Sequence, residues 1–260
     1  MSSSAGASKP ASDFGAIADS YDRLRPVDDR WREVFDLLVA AGDLAGRRTL
    51  DVGCGTGAFA VELAKRGGKV WGIDASPEML AEAQAKETRA RFREADAEAL
   101  PFKEGWFERV VMRLSLHHLD RPRALREAAR VLVPGGRLVV GTFDPAQFSD
   151  YWLTRFFPSI APIDEARFPD QGTLERELAE SGFGAVETAS LTQPARLSRT
   201  EALERIRSRY ISTLRMLEEA EFEQGLAAAE ADLPPEVSYR VEWLVVSGET
   251  PRLDAVRPRG

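Results

Sequence analysis

The sequence predicts an α/β domain built on a seven-stranded, mostly parallel sheet with helices on both faces. Three observations predict it. Strand-length apolar runs alternate with amphipathic helical stretches up to residue 143, the pattern of repeated strand–helix–strand units. The first apolar run, Thr49, Leu50 and Val52, breaks into a turn with glycines at 53, 55 and 57 and then opens a helix. Finally, 260 residues with 43 % hydrophobic side chains can bury one sizeable core and carry an elaboration.

The elements follow in order. Helical spacing appears at Phe14 to Ala18 and again at Arg30 to Ala40, where Trp31, Val34, Leu37 and Leu38 share a face. Gly42 and Gly46 punctuate before the first strand. The helix after the glycine turn carries Phe59 and Leu63 four apart and stops at Gly67-Gly68. A second strand, Val70 to Ile73, ends in Asp74; Ser76 can cap the next helix, with Pro77 at its first position. Arg89 to Arg93 is a weaker third strand, with Phe92 its large apolar residue. Phe107 to Leu116 is a clearer fourth, centred on Val110, Val111 and Met112. Pro122 to Val133 reads as a helix, Pro134-Gly135-Gly136 as a turn and Leu138 to Phe143 as a fifth strand.

Beyond Phe143 the pattern changes. Residues 144–170 carry Phe148, Tyr151, Trp152, Phe156, Phe157 and Phe168 with little periodicity. Thr173 to Ser181 is helical, Val186 to Leu191 a sixth strand and Val241 to Val246 a last one. Between those two strands, residues 199–231 read as a long, charge-rich helical stretch, with Leu203, Ile206, Tyr210, Leu214 and Leu217 at helical spacing. The expected organisation is a disordered tail over 1–12 and a single domain over 13–260. That domain comprises an N-terminal helical cap (13–46), a cofactor-binding core (47–143), an acceptor-pocket segment (144–183) and a helical insertion (192–236).

Composition excludes several classes. A net charge of −7 gives no overall field for DNA or RNA. Cys54, the one cysteine, excludes an intramolecular disulfide and a multi-thiolate zinc site, and no metal-ligand cluster is visible. There is no signal-peptide core and no run long enough to span a bilayer, so a cytoplasmic protein is expected. Oligomeric state is not legible.

A strand that breaks into spaced glycines and opens a helix is a nucleotide-cofactor site, because missing Cβ atoms admit the ligand to the backbone and the helix start offers free N–H donors. The spacing Gly53, Gly55, Gly57, Ala58 satisfies a dinucleotide fingerprint as well as other nucleoside cofactors. Asp74, roughly 20 residues on, suits ribose hydroxyls in either case. Asp51 and Asp96 discriminate. A carboxylate inside the first strand is expensive to bury unless it faces an ammonium or N–H donors, and it would repel a pyrophosphate. Asp96, after the third strand, can accept from an adenine amino group. No Tyr-x-x-x-Lys pair for hydride transfer accompanies them.

Five stretches in order resemble the successive motifs of class I S-adenosylmethionine-dependent methyltransferases: Leu-Asp-Val-Gly-Cys-Gly-Thr-Gly, Gly-Ile-Asp-Ala-Ser-Pro-Glu-Met-Leu, Ala-Asp-Ala-Glu-Ala-Leu-Pro-Phe, Leu-His-His-Leu and Leu-Val-Pro-Gly-Gly-Arg-Leu. The resemblance runs from about Phe14 to Phe143. It is closest to the branch of ubiquinone/menaquinone C-methyltransferases and related small-molecule enzymes. It implies a Rossmann-like fold with an antiparallel last strand, S-adenosylmethionine as cofactor and SN2 methyl transfer to a small-molecule acceptor. It further implies that Gly53, Gly55 and Gly57 pass the methionine part, Asp74 holds the ribose, Ala75 and Met79 flank the adenine, and Asp96 and Ala97 contact its edge. Arg113 would lend backbone to the methionine end, while Phe14, Tyr21 and Arg25 would close over the cofactor.

His117 and His118 follow the fourth strand at the carboxyl edge, where ligands bind in open α/β sheets. Either can take a proton from an acceptor. On an extended segment neighbours point opposite ways, so the two are not expected to act together. The aromatics of 143–168 are either core beneath a helix or the wall of an acceptor pocket. The insertion, if a lid, should turn Tyr210 and Leu214 toward that pocket. An NAD(P)-dependent oxidoreductase and a non-catalytic S-adenosylmethionine-binding regulator are the rival readings.

Overall fold

The computed structural model describes residues 18–252; the expected tail over 1–12 and Phe14 lie outside them. Seven strands form one sheet: β1 Arg48–Val52, β2 Lys69–Asp74, β3 Arg91–Glu94, β4 Phe107–Arg113, β5 Leu132–Phe143, β6 Gly184–Ser198 and β7 Glu236–Glu249. Their spatial order is β3-β2-β1-β4-β5-β7-β6. β1 pairs parallel with β2 and β4, β2 with β3, and β4 with β5. β7 runs antiparallel to both its neighbours, as the family resemblance implies. The order reverses between β1 and β4, and such a reversal opens a crevice at the carboxyl ends of the strands.

Strand alternation sends side chains to two cores. Val110, Met112, Leu138 and Val140 pack on one face under Leu125 and Ala128 of α5 (Arg121–Val131) and Leu174 and Leu178 of α7 (Gln171–Glu180). Their neighbours Val111 and Val139 face the other way. They meet Val34 and Leu38 of α2 (Asp29–Gly42) and Leu63 of α3 (Ala58–Lys65). Local chemistry sets the helix starts. Ser76 Oγ accepts from Met79 N at 3.2 Å with Pro77 leading α4 (Pro77–Gln84), and Asp120 and Asp170 cap α5 and α7 in the same way.

Three expectations need correction. The expected long helical stretch over 199–231 is not continuous but three helices, α8 (Arg199–Arg207), α9 (Ser212–Met216) and α10 (Glu219–Asp232), broken at Arg209, whose φ is +46°, and at extended Leu217 and Glu218. One unbroken helix of that length would run about 50 Å and carry its apolar stripe off any compact core; three segments fold it back. Residues 192–198, expected within the insertion, belong to β6, which pairs with β7 as far as Ser198 and Glu236. A helix absent from the sequence reading, α6 (Ile160–Arg167), lies in the aromatic segment.

The stripe residues Ile206, Tyr210, Leu214 and Leu217 bury with Leu153, Phe156, Phe157 and Ile160 in a third core, which also takes in Leu197 at the end of β6 and Val237 at the start of β7. Gly225 of α10 makes this contact possible, because a Cβ there would lie 2.3 Å from Phe157 Cε1. Tyr210 and Leu214 therefore face this core, contrary to the expectation that they would line the pocket. Among the described residues no helix is long and apolar enough to cross a membrane.

Candidate active site

The glycine turn is shaped by β2. Gly53 N and Cys54 N both donate to Ile73 O, at 2.8 and 2.9 Å, and Gly55 N donates to Asp74 Oδ2 at 2.8 Å. Asp74 Oδ1 accepts from Ser76 N at 3.0 Å. One carboxylate thus braces the turn and the start of α4 together. The three glycines all have positive φ, but their surroundings differ. A Cβ at Gly53 would sit 2.4 Å from Ser115 Cβ, and one at Gly57 2.7 Å from Phe92 Cζ; at Gly55 it would meet nothing within 4 Å.

A cleft of about 700 Å³ opens above this turn. Of the residues expected to form the site, Tyr21, Arg25, Asp51, Gly53, Gly55, Asp74, Ala75, Met79, Asp96, Ala97, Arg113, His117 and His118 all line it. Gly57 does not. It turns the chain into α3 and makes room for Phe92 and Ala83, so its glycine answers to packing rather than to the cleft wall.

Asp51 is 2 % exposed, and its Oδ2 has no hydrogen-bond partner. Burial pushes its carboxyl up to about 7; Arg113 pulls the other way and Asp74 adds to the rise. The Arg113 guanidinium lies between the Trp31 and Trp243 rings, 5.6 and 5.4 Å from their centroids. An orphaned, buried carboxylate oxygen in a cleft is costly until a cation or donor arrives. These acceptors therefore fit a ligand with an ammonium near Asp51, a diol near Asp74 and a flat base near Ala75 and Met79. α1 (Ala18–Leu24) is latched over the turn: Asp22 accepts from Thr56 Oγ1 at 2.5 Å and from Lys86 Nζ at 2.6 Å.

A second cavity, about 100 Å³, lies on the far side of the histidines. Phe143, Phe148, Tyr151 and Phe168 wall it, so these aromatics line a pocket, while Phe156 and Phe157 are core. Five residues line both cavities: Tyr21, Arg25, Leu114, His117 and His118. The histidine pair departs from its expected geometry. Leu116–His118 form a 3₁₀ turn, not an extended segment, and the two rings lie 3.9 Å apart. Neighbours on such a turn diverge by about 120° instead of 180°, so both reach the junction. His117 also stacks on Phe168 at 3.9 Å.

Sequence reasoning missed Leu114, Asp164, Arg167, Ser212 and Thr213. Leu114 holds φ +52° to turn the chain out of β4, a strain that no leucine advertises in a sequence. The other four are polar residues of α6 and α9 that meet only in the tertiary structure. Among the described residues, no group of three or more His, Cys, Asp or Glu side chains is placed to hold a metal ion.

Comparison with known proteins resolves the choice of cofactor. A family model described as a methyltransferase domain matches residues 50–140. The demethylmenaquinone methyltransferase of Thermus thermophilus is 42 % identical over 165 residues, spanning 58 % of this chain and 74 % of that one. The one from Clavibacter sepedonicus is 31 % identical over 207 residues, spanning 69 % and 84 %. The chain belongs to the class I S-adenosylmethionine-dependent methyltransferases. This methyltransferase uses S-adenosylmethionine and acts on a small-molecule acceptor; the oxidoreductase and regulator readings are not favoured.

Solved structures share its fold. The Haemonchus contortus phosphoethanolamine N-methyltransferase 2 in complex with S-adenosyl-L-methionine superposes with a TM-score of 0.61 at 19 % identity, covering 92 % of the methyltransferase and 57 % of that chain. The [4+2]-cyclase SpnF superposes equally well, at 0.61 and 21 % identity, covering 93 % and 95 %. The fold alone therefore does not name the reaction.

Proposed function

We propose that the methyltransferase methylates a ring carbon of a compact, hydroxylated aromatic acceptor of the quinol type. One observation carries the reading: the cofactor cleft and an aromatic-walled cavity meet at Tyr21, Arg25, Leu114, His117 and His118. The cavity has room for several waters or one small ring system, so the reacting head group enters and any chain attached to it stays outside. The names of the relatives, demethylmenaquinone methyltransferases, support a ring acceptor.

When bound, S-adenosylmethionine would supply an electrophilic sulfonium methyl, which passes to the acceptor in an SN2 reaction as the sulfur leaves in S-adenosylhomocysteine. The protein's part is alignment and exclusion of water. Asp51 receives the ammonium, with Arg113 beside it at the end of β4. Gly53 and Gly55 admit the methionine part, Asp74 holds the ribose while bracing the turn, Ala75 and Met79 flank the adenine, and Asp96 and Ala97 meet its edge. Tyr21 and Arg25 close the cleft from α1 and the residue after it. His117, stacked on Phe168 at the junction, takes the proton that the ring loses after methyl transfer. The segment containing α9 roofs the acceptor cavity through Ile211, Ser212 and Thr213. The reading implies a cytoplasmic protein with no nucleic-acid partner, consistent with the net charge of −7.

The test is release of S-adenosylhomocysteine with 1,4-naphthalenediol, with its short-chain prenyl derivative, and with non-aromatic amines as controls. Turnover is expected with the diols; turnover with the amines alone would overturn the ring assignment. Asp74→Ala should weaken S-adenosylhomocysteine binding strongly in calorimetry, and unchanged affinity would sink the ribose role. His117→Ala should lower kcat about 100-fold and leave that affinity intact.

A further inference from the structure

His118 is tied to α6 by one contact whose direction is not negotiable. Its Nδ1 lies 3.0 Å from Arg167 Nη2. A guanidinium donates and cannot accept, and it does not lose its proton in proteins. Nδ1 must therefore hold a lone pair, and neutral His118 carries its proton on Nε2. Arg167 is itself held in place. Its Nη1 lies 3.3 Å from both Asp164 Oδ1 and Thr213 Oγ1, and Nη2 also donates to Ser212 Oγ at 3.1 Å. Thr213 Oγ1 donates to Asp164 Oδ1 at 2.6 Å, and Arg121, paired with Glu177, holds the Arg167 carbonyl at 3.3 Å. The Arg167 and Asp164 side chains are 10 % and 8 % exposed, so solvent screens this arrangement little.

We propose that Arg167 is a positioning residue that holds His118 neutral in the Nε2–H tautomer, so that His118 donates a hydrogen bond to an oxygen of the acceptor instead of taking its proton. The charged groups around His118 agree. Arg167 and Asp164 come from α6, Arg25 lines the same cavity and His117 belongs to the same turn, while α9 meets Arg167 with the hydroxyls of Ser212 and Thr213. Asp164 is already engaged by Thr213 and Arg167. Protonating His118 would break its bond to Arg167 and set an imidazolium against a guanidinium. This divides the work of the pair: His117 is left as the base, and His118 stabilises charge on a ring oxygen as the adjacent carbon is methylated. It also narrows the acceptor to one that presents an oxygen lone pair, as a phenolate, enolate or carbonyl, next to the atom that receives the methyl. Because the groups that accept from Arg167 come from both α6 and α9, the same contact reports to His118 whether the roof is seated.

The inference rests on the cavity being the acceptor site, and the test separates the two. The full chain, labelled with 15N-histidine and saturated with S-adenosylhomocysteine, carries two histidines; a His117→Gln sample assigns them. Long-range 1H–15N correlation should show neutral His118 as a pure Nε2–H tautomer. Arg167→Gln should yield mixed tautomers and protonation at higher pH, Arg167→Lys should restore the wild-type pattern in part, and Ser212→Ala should loosen it without removing the cation. With a turned-over acceptor, Arg167→Gln should lower kcat about 10-fold or more and change S-adenosylhomocysteine affinity less than 2-fold. An Nδ1–H tautomer in the wild type, or a His118 titration indifferent to Arg167→Gln, overturns the proposal. Both readings are spectroscopic and hold whether or not any ring acceptor is turned over.

Discussion

Asp51→Asn is expected to make the ligand-free protein more stable and the cofactor complex weaker. Burial raises the Asp51 carboxyl from 3.8 to about 7 even though Arg113 attracts its charged form. The folded chain therefore binds more protons than the unfolded chain between about pH 4 and pH 7. Stability from this group is highest below that window, falls as pH rises through it and is flat above. A shift of about 3 pK units sets a ceiling of about 4 kcal/mol on the penalty at pH 8. Asn, neutral and nearly isosteric, removes it. At about 2–4 °C per kcal/mol for a chain of this size, Asp51→Asn should melt several degrees above the wild type at pH 8. At pH 5, about one unit into that window, the advantage should shrink to less than half, and it should vanish only below about pH 4. Adenosylhomocysteine brings an ammonium that the wild-type carboxylate can meet, so calorimetry should show the variant binding about 30-fold or more weaker, the cost of removing one partner of a buried charge pair. A variant that is destabilised equally at pH 5 and pH 8, or that binds adenosylhomocysteine like the wild type, would refute the reasoning.

The glycines of the turn should separate by phenotype. Gly53→Ala, with φ +73° and Ser115 Cβ 2.4 Å from the new methyl, should cost about 2–4 kcal/mol in a denaturant melt. Gly55→Ala, at φ +54° in open space, should cost only about 1–2 kcal/mol yet abolish measurable adenosylhomocysteine binding, because its methyl occupies the cleft. Wild-type affinity there would mean that the turn does not face the cofactor. Gly225→Ala, which would gain about 1 kcal/mol in an exposed helix, should instead lose about 1–3 kcal/mol here, since its Cβ would meet Phe157 Cε1 at 2.3 Å and Phe156 O at 2.6 Å. A higher melting temperature would show that α10 does not pack on the aromatic segment as described.

What could be read from the chain was local. The glycine turn, Asp74 at the end of β2, the Ser76–Pro77 helix start and the order of the first five strands are each written within a few consecutive residues. Backbone conformation, capping and strand periodicity act over that range. Asp51 was legible for a related reason, since a charge inside an apolar run announces a cost that something must offset. The insertion was harder. Its apolar stripe was visible, but a stripe says only that a face is buried. It does not say against what, and Tyr210 and Leu214 turned to Phe157 and its neighbours instead of to the pocket. The histidines were visible as a pair, and the extended geometry assumed for them was wrong, because Leu114 turns the chain first.

By itself the sequence determined the parallel strands and the glycine turn and, through the resemblance of five ordered motifs, pointed to the methyl donor, because each motif's parts are neighbours in the chain. Only the tertiary structure decided how the acceptor side is built. The Arg167–His118 contact joins residues 49 apart, and Arg167 meets Ser212 across another 45. Neither separation carries a period or a motif. Their chemistry, a proton confined to one nitrogen of His118, arises from the direction in which a distant guanidinium can donate.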